Sequence, residues 1–190
     1  MRPRYTPPHP WRPLTDAEYE ALLPYLPPPG RRGRPPANRR RTLDAIFWIA
    51  CSREPWRALP PHLGRADTAH RQLRRWARAG VLDRLLLAVS GKDPTAPAVL
   101  RRLEYRVCRA WRRAARLMGV GSLSFARRLG LLTALPCDPR WLPDPILSEI
   151  AHSLANRLLE NAGAAPLAAF RDCRRLLAAA GGSPRRFRLK

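Results

Sequence analysis

From Ala98 to Met118 the chain sorts its residues into two arcs at the period of an α-helix. Leu100, Leu103, Val107, Trp111, Ala114 and Met118 fall on one arc, and Arg101, Arg102, Arg106, Arg109, Arg112, Arg113 and Arg116 fall on the other, with successive residues about 100° apart. A segment patterned this way reads as a helix with one side buried. The same pattern, shorter, governs Asp67 to Gly80. There Ala69, Leu73 and Trp76 make an apolar face, while Arg71, Arg74, Arg75 and Arg78, at i, i+3, i+4 and i+7, share the opposite one. Asp67 is placed to cap the start, and Gly80 to end the helix in the left-handed conformation. His70 and Gln72 flank the basic stripe.

Helical spacing extends through most of the remaining chain. Thr15 followed by Glu18 is a capping-box pattern, with Leu14 as a staple, and it predicts a helix from about Asp16 to Leu23 that Pro24 stops. Residues 39–51 present Leu43, Ile46, Phe47, Ile49 and Ala50 as one apolar face. Trp56, Leu59 and Leu63 anchor a short helix closed by Gly64, and residues 81–89 form a mostly apolar helix behind the basic one. Further helices are expected over 122–131, over 146–160 with Ile146, Ile150, Leu154 and Leu158 inward, and over 166–180 with Leu167, Phe170 and Leu177 inward. No alternating strand pattern appears after residue 96. The fold class expected is all-α, a helix-turn-helix N-terminal domain over 14–90 followed by a smaller helical region over 98–180. Residues 1–13 and the basic tail 181–190 read as disordered, and 27–38 as a Pro/Gly/Arg linker.

Charge narrows the function. Thirty-six basic residues oppose 14 acidic ones in 190, a net charge of +22, and an excess of that size implies a polyanionic partner, most often nucleic acid. It is spread through both halves. Cys51, Cys108, Cys137 and Cys173 form no CxxC pair and do not cluster with histidine, so neither a zinc site nor a disulfide framework is indicated, and no metal or other cofactor is expected. The N-terminus lacks the apolar core of a signal peptide and no run approaches a membrane span. A cytoplasmic, nucleoid-associated protein is the expectation.

A short helix with an apolar back and a front of Arg, Gln and His suits a DNA major groove, where Arg reads guanine bidentately. His70, Arg71, Arg74, Arg75 and Arg78 are therefore candidate duplex contacts; a solvated basic face is the other reading. Arg32 and Arg34, in Arg-Gly-Arg-Pro, suit an A·T-rich minor groove, or else belong to a plain linker. Arg39 and Arg40 crowd a helix first turn, which the helix dipole disfavours, so either a phosphate neutralises them or solvent screens them. The seven arginines of 98–118, with Arg102, Arg109 and Arg113 as representatives, repel one another unless phosphate, an anionic membrane or an acidic partner sits on them, or salt screens them.

Residues 14 to about 89 resemble the N-terminal DNA-binding domain of bacterial insertion-sequence transposases of the DDE class. The resemblance is carried by Leu14-Thr15-Asp16 with Leu22-Leu23-Pro24, Arg31-Arg32-Gly33-Arg34-Pro35, Arg40-Arg41 through Ala45-Ile46 and Trp48, Pro55-Trp56-Arg57-Ala58-Leu59-Pro60, and Leu73-Arg74-Arg75-Trp76 with Ala79-Gly80-Val81. It implies binding of an element's terminal repeats. DDE transposases continue into an RNase H-like domain whose carboxylates hold two metals. The roughly 100 residues that follow here carry Glu104, Asp138, Asp144, Glu149, Glu160 and Asp172 without a strand pattern to mount them. Asp138, Asp144 and Glu149 read as helix caps and turn residues.

Three functions compete on these grounds: the DNA-binding subunit of a split transposase whose catalytic part is a separate chain, a non-enzymatic transcriptional regulator, and a non-specific RNA or membrane-surface binder. In the first two the partner is double-stranded DNA, no membrane is involved, and this chain alone is not an enzyme.

Overall fold

A computed structural model of the chain describes residues 3–28 and 38–183. Arg32 and Arg34 lie outside the described residues, as does most of the 181–190 tail. The described residues carry eight α-helices joined by 3-10 turns, and the nearest approach to a strand among them is an isolated bridge between Arg4 and Leu131. The fold is all-α. It divides into two compact units, residues 1–136 and 137–190.

The first unit begins with α1 (Asp16–Leu22), whose start is the expected capping box: Thr15 accepts from the Glu18 amide and the Glu18 carboxylate accepts from the Thr15 amide. Pro24 does not end the structure there, because a 3-10 turn over Leu23–Tyr25 accommodates it near its start, where a missing N–H costs nothing. Helix α2 (Arg39–Ser52) buries Leu43, Ile46, Phe47, Ile49 and Ala50 as its spacing requires. The expected helix over 56–63 is instead two 3-10 turns, Trp56–Ala58 and Pro61–Leu63. Pro60 and Pro61 remove the backbone donors that a continuous helix would need.

Helix α3 (Ala66–Arg78) starts earlier than the sequence suggests. Arg65, not Asp67, is its N-cap residue, and no side chain caps it. Gly80 takes the left-handed conformation at φ 66° and leads directly into α4 (Val81–Ser90). The 98–118 segment is helical throughout but changes pitch: a 3-10 stretch (Ala98–Leu103), α5 (Glu104–Ala114) and a 3-10 turn (Ala115–Leu117). All six residues of its apolar arc are buried. Helix α6 (Val120–Leu129) completes the unit.

Helix α5 packs against α2, α3 and α4, and its fully buried Trp111 donates from the indole to Asp83 Oδ1 on α4 at 2.7 Å. Ser122 on α6 donates to the other oxygen of Asp83 at 2.6 Å. The packing therefore does not break at residues 91–97. That segment is a turn inside the first unit, and α5 shares the core of the helices that precede it.

Residues 3–13, expected to be disordered, are pinned. Arg4 exchanges backbone hydrogen bonds with Gly130 and Leu132 and forms an ion pair with Glu104 at 2.5 Å. Thr6 donates from its hydroxyl to Glu104 at 2.7 Å and from its amide to the Thr133 hydroxyl. Arg12 grips the buried Glu18 carboxylate with both terminal nitrogens. Composition missed this because the tether consists of a few long-range polar contacts and has no hydrophobic run of its own.

The second unit is a helical hairpin. Asp144 caps α7 (Pro145–Glu160), and α8 (Leu167–Ala180) returns antiparallel, with the Asp144 amide donating to Ala180 O and Cys173 Sγ to Ala151 O. The apolar residues that α7 and α8 bury fully are small: Ala151, Cys173 and Ala180. Ile146, Ile150 and Leu167, expected inward, are exposed instead.

Candidate nucleic-acid interface

Helix α3 is held by its back. Ala69, Leu73, Trp76 and Ala77 are buried, which turns Arg71, Arg74, Arg75 and Arg78 outward together. All four are exposed, and among the described residues none has an ion pair or a side-chain hydrogen bond. His70 behaves differently. It is half-buried, with its ring against Trp56 at 5.0 Å between centroids and 47° between planes.

The arginines of 98–118 do not act as one face. Arg106 is buried, with Nη1 lacking a hydrogen-bond partner. Burial and then the Arg12 charge lower its pKa, while Glu18 and Asp44 partly offset them. The helical wheel placed it with the exposed arginines, but the wheel does not see what tertiary packing lays over that arc. Arg109 donates from Nε to Ala50 O at 3.1 Å, and Arg113 donates to Glu54 O at 2.9 Å with its guanidinium 5.7 Å from the Trp56 ring centre. Arg109 therefore serves the last turn of α2, whose exposed carbonyls carry partial negative charge, and Arg113 serves the loop just beyond its C-cap. Arg112 donates to Pro136 O. Arg102 remains exposed.

The first turn of α2 is similarly divided. Arg40 pairs with Asp16, donates to Leu14 O and lies 5.9 Å from the Tyr19 ring centre. Arg39 donates to Pro27 O at 2.6 Å. Asn38 accepts the Arg41 amide and so caps the helix.

The starts of α2 and α3 border one groove of about 390 Å³. Its polar lining comes from Asn38, Arg41, Thr42, Arg65 and Thr68, over a floor that includes Ala45, Leu63 and Ala69. Gly64, at φ +103°, makes the bend between the Pro61–Leu63 turn and α3, a conformation L-residues with a side chain rarely adopt. Arg41 leans over this bend, donating to Pro61 O at 3.0 Å. Arg65 was not singled out from the sequence because Asp67 was read as the cap, which put Arg65 outside the helix. The Pro-rich turn ending in glycine was the available signal.

The six carboxylates after residue 96 are distributed. Glu104 is buried in its contacts with Arg4 and Thr6. Asp138 caps a 3-10 turn and pairs with Arg140, which holds its carboxyl below the usual range. Asp144 caps α7, and Asp172 pairs with Arg175. Glu149, expected at a cap or turn, lies inside α7. Among the described residues no His, Cys, Asp and Glu side chains gather to hold a metal, and no helix is long and apolar enough to cross a membrane.

Residues 14–86 match the family described as "Putative transposase of IS4/5 family". That stretch, running from the α1 staple into α4, is similar to the transposase sequences of that family. Two curated proteins are each similar to about two fifths of the chain. One is uncharacterized protein y4sN of Sinorhizobium fredii, 38% identical over 79 residues, covering 40% of this chain and 62% of that protein. The other is the insertion element IS402 uncharacterized 16.2 kDa protein of Burkholderia cepacia, 39% identical over 82 residues, covering 39% of this chain and 56% of that protein. The chain thus spans about three fifths of the length of the curated relatives it matches. No solved structure matches.

Proposed function

We propose that residues 14–136 bind duplex DNA through the outer face of α3, in a helix-turn-helix arrangement with α3 as the reading element. The observation that carries this is the contrast among the arginines. Arg39, Arg40, Arg109, Arg112 and Arg113 are spent on carbonyls and carboxylates, whereas Arg71, Arg74, Arg75 and Arg78 stand free on one helix face. In this reading the four contact base edges and phosphates of the major groove. Arg65, bordering the groove at the start of α3, takes an adjacent backbone phosphate, and Arg41, held over the bend by Pro61 O, adds its remaining guanidinium N–H groups. His70 supports α3 through Trp56 and is not itself a base contact. Arg32 and Arg34 supply minor-groove contacts from the segment before α2.

We further propose that this chain does not itself cut or join strands. Glu104, Asp138, Asp144 and Asp172 are all engaged in caps and ion pairs. The relative from an insertion element favours a role within such an element, alongside a separate catalytic chain, over a role at host promoters.

The test is binding of the full chain to duplexes carrying an element's terminal repeat, measured by fluorescence anisotropy against scrambled duplexes. Arg74→Ala and Arg75→Ala should each cost about 1–3 kcal/mol on the preferred sequence and relax the preference at one position. Unchanged preference in both variants refutes α3 as the reading element. Incubation of the same duplexes with Mg²⁺ should leave them intact, and nicking refutes the second proposal.

A further inference from the structure

The α7–α8 hairpin cannot bury its own large apolar side chains. Among them Ile146 is 47% exposed, Ile150 55% and Leu167 80%, while Leu154 and Leu158 are more covered but not buried. On α7, residues 146, 150, 154 and 158 advance by about 40° per step, so they form one slanting stripe that begins exposed and ends at the edge of α8. Two antiparallel helices make one layer, and a stable helical architecture places a second layer against the first.

Charge indicates what can cover the stripe. Residues 1–136 contain 27 basic and nine acidic residues, so two copies repel one another over that unit. Residues 137–183, which hold the hairpin, contain five of each and are neutral, and the four further basic residues of the second unit all follow residue 183. Within α7, Glu149 and Arg157 flank the stripe on the same side and are both exposed; neither has a side-chain partner among the described residues.

We propose that the chain pairs with a second copy of itself through α7, antiparallel, about a two-fold axis level with His152 and Ser153. A two-fold contact is self-complementary, so each pairing occurs twice. An axis there sets Ile150 of one copy against Leu154 of the other and Ile146 against Leu158. It also brings Glu149 beside Arg157 across the axis, so the stripe and its flanking charges are satisfied together. A neutral partner protein of different sequence would cover the apolar stripe equally well, but it would not couple Glu149 to Arg157 of the same chain. The pairing does not rest on the duplex reading, and it is tested without nucleic acid.

Sedimentation velocity on the full chain tests it. The wild type should show a reversible monomer–dimer equilibrium in the micromolar range, about 1–50 µM, as suits a small interface. Ile150→Glu should sediment as a monomer with its helical circular dichroism retained. Glu149→Arg and Arg157→Glu should each weaken dimerisation about tenfold, and the double variant should recover most of the wild-type affinity. A wild type that stays monomeric at about 200 µM leaves the stripe to a different partner and overturns the proposal. A dimer untouched by Ile150→Glu, or a double variant as weak as its parents, overturns it equally. Because the charge pair is exposed, the swap remains readable even if Ile150→Glu fails to fold.

Discussion

Asp83 is three residues into α4 and joins three helices through one carboxylate, accepting the Trp111 indole of α5 at 2.7 Å and the Ser122 hydroxyl of α6 at 2.6 Å. Asp83→Ala leaves the indole N–H of a fully buried tryptophan unpaired. It should destabilise the first unit by about 1–3 kcal/mol, read as a lowered urea midpoint. Two other residues report on their surroundings by pH. For Glu18, burial raises the pKa, but the Arg12 fork and the Thr15 amide outweigh it, and the net shift is downward. A lowered folded-state pKa means that the unfolded chain binds the proton more readily. This contribution is therefore present above the ordinary carboxylate range and lost as pH falls through the folded value. For Asp44, burial dominates over the Leu14 amide and the Arg40 and Arg106 charges, and the net shift is upward. Its contribution has the opposite sign and favours folding as pH falls. Glu18→Gln should therefore flatten the acid limb of the stability–pH curve, and Asp44→Asn should steepen it. Cysteine reactivity follows the same logic. Burial pushes the Cys51 thiol up to about 11 and the Cys108 thiol up to about 12, so both are protonated at neutral pH. Neither should react with iodoacetamide until the chain unfolds.

At the scale of an element, α3 opposes stability to binding. Its N-cap position holds Arg65, in an extended conformation well suited to serine, yet no side chain satisfies the first amides. Arg65→Ser should stabilise the chain by about 0.5–1 kcal/mol, and if the groove takes a phosphate it should weaken duplex binding at the same time. A thermal melt and an anisotropy titration on the one variant separate the two effects; a gain in both would remove Arg65 from the interface. The boundaries of α3 also show what was legible beforehand. Its buried face, its outward arginines and its end at Gly80 follow from spacing and from the left-handed glycine. Its start was misplaced because Asp67, a good cap by type, sits inside the first turn, where a carboxylate also suits the helix dipole.

For the whole molecule, the transposase-like stretch and the folding unit differ in extent. The family match ends at residue 86, while the compact unit continues to residue 136 because the 98–118 segment supplies Leu103, Val107 and Trp111 to the shared core. A fragment of residues 1–90 should therefore fail to show a cooperative thermal transition, whereas one of residues 1–136 should melt cooperatively and retain duplex affinity. Electrostatics act at this scale too. With about six phosphate contacts, the logarithm of the duplex association constant should fall against log salt with a slope near −5. A slope near zero would mean that the free guanidinium groups of α3 do not meet phosphate.

The sequence by itself determined the main α-helices and, in α2, α3 and the 98–118 segment, their buried apolar faces, because helical periodicity is a local property that each segment carries without its neighbours. It determined the net charge, on which the proposal of a polyanionic partner rests, and it held the transposase-like pattern between Leu14 and Leu86. Only the tertiary structure decided which arginines are free. Arg106, Arg109 and Arg113 lie on the same helical arc as Arg102, and nothing local distinguishes them. The difference comes from burial for Arg106, from a last-turn carbonyl of α2 for Arg109 and from a carbonyl of the loop after α2 for Arg113. It also decided that residues 3–13 are pinned and that Ile146 and Ile150 of the α7 stripe stay exposed, since each depends on contacts between residues far apart in the chain, which composition and periodicity do not encode.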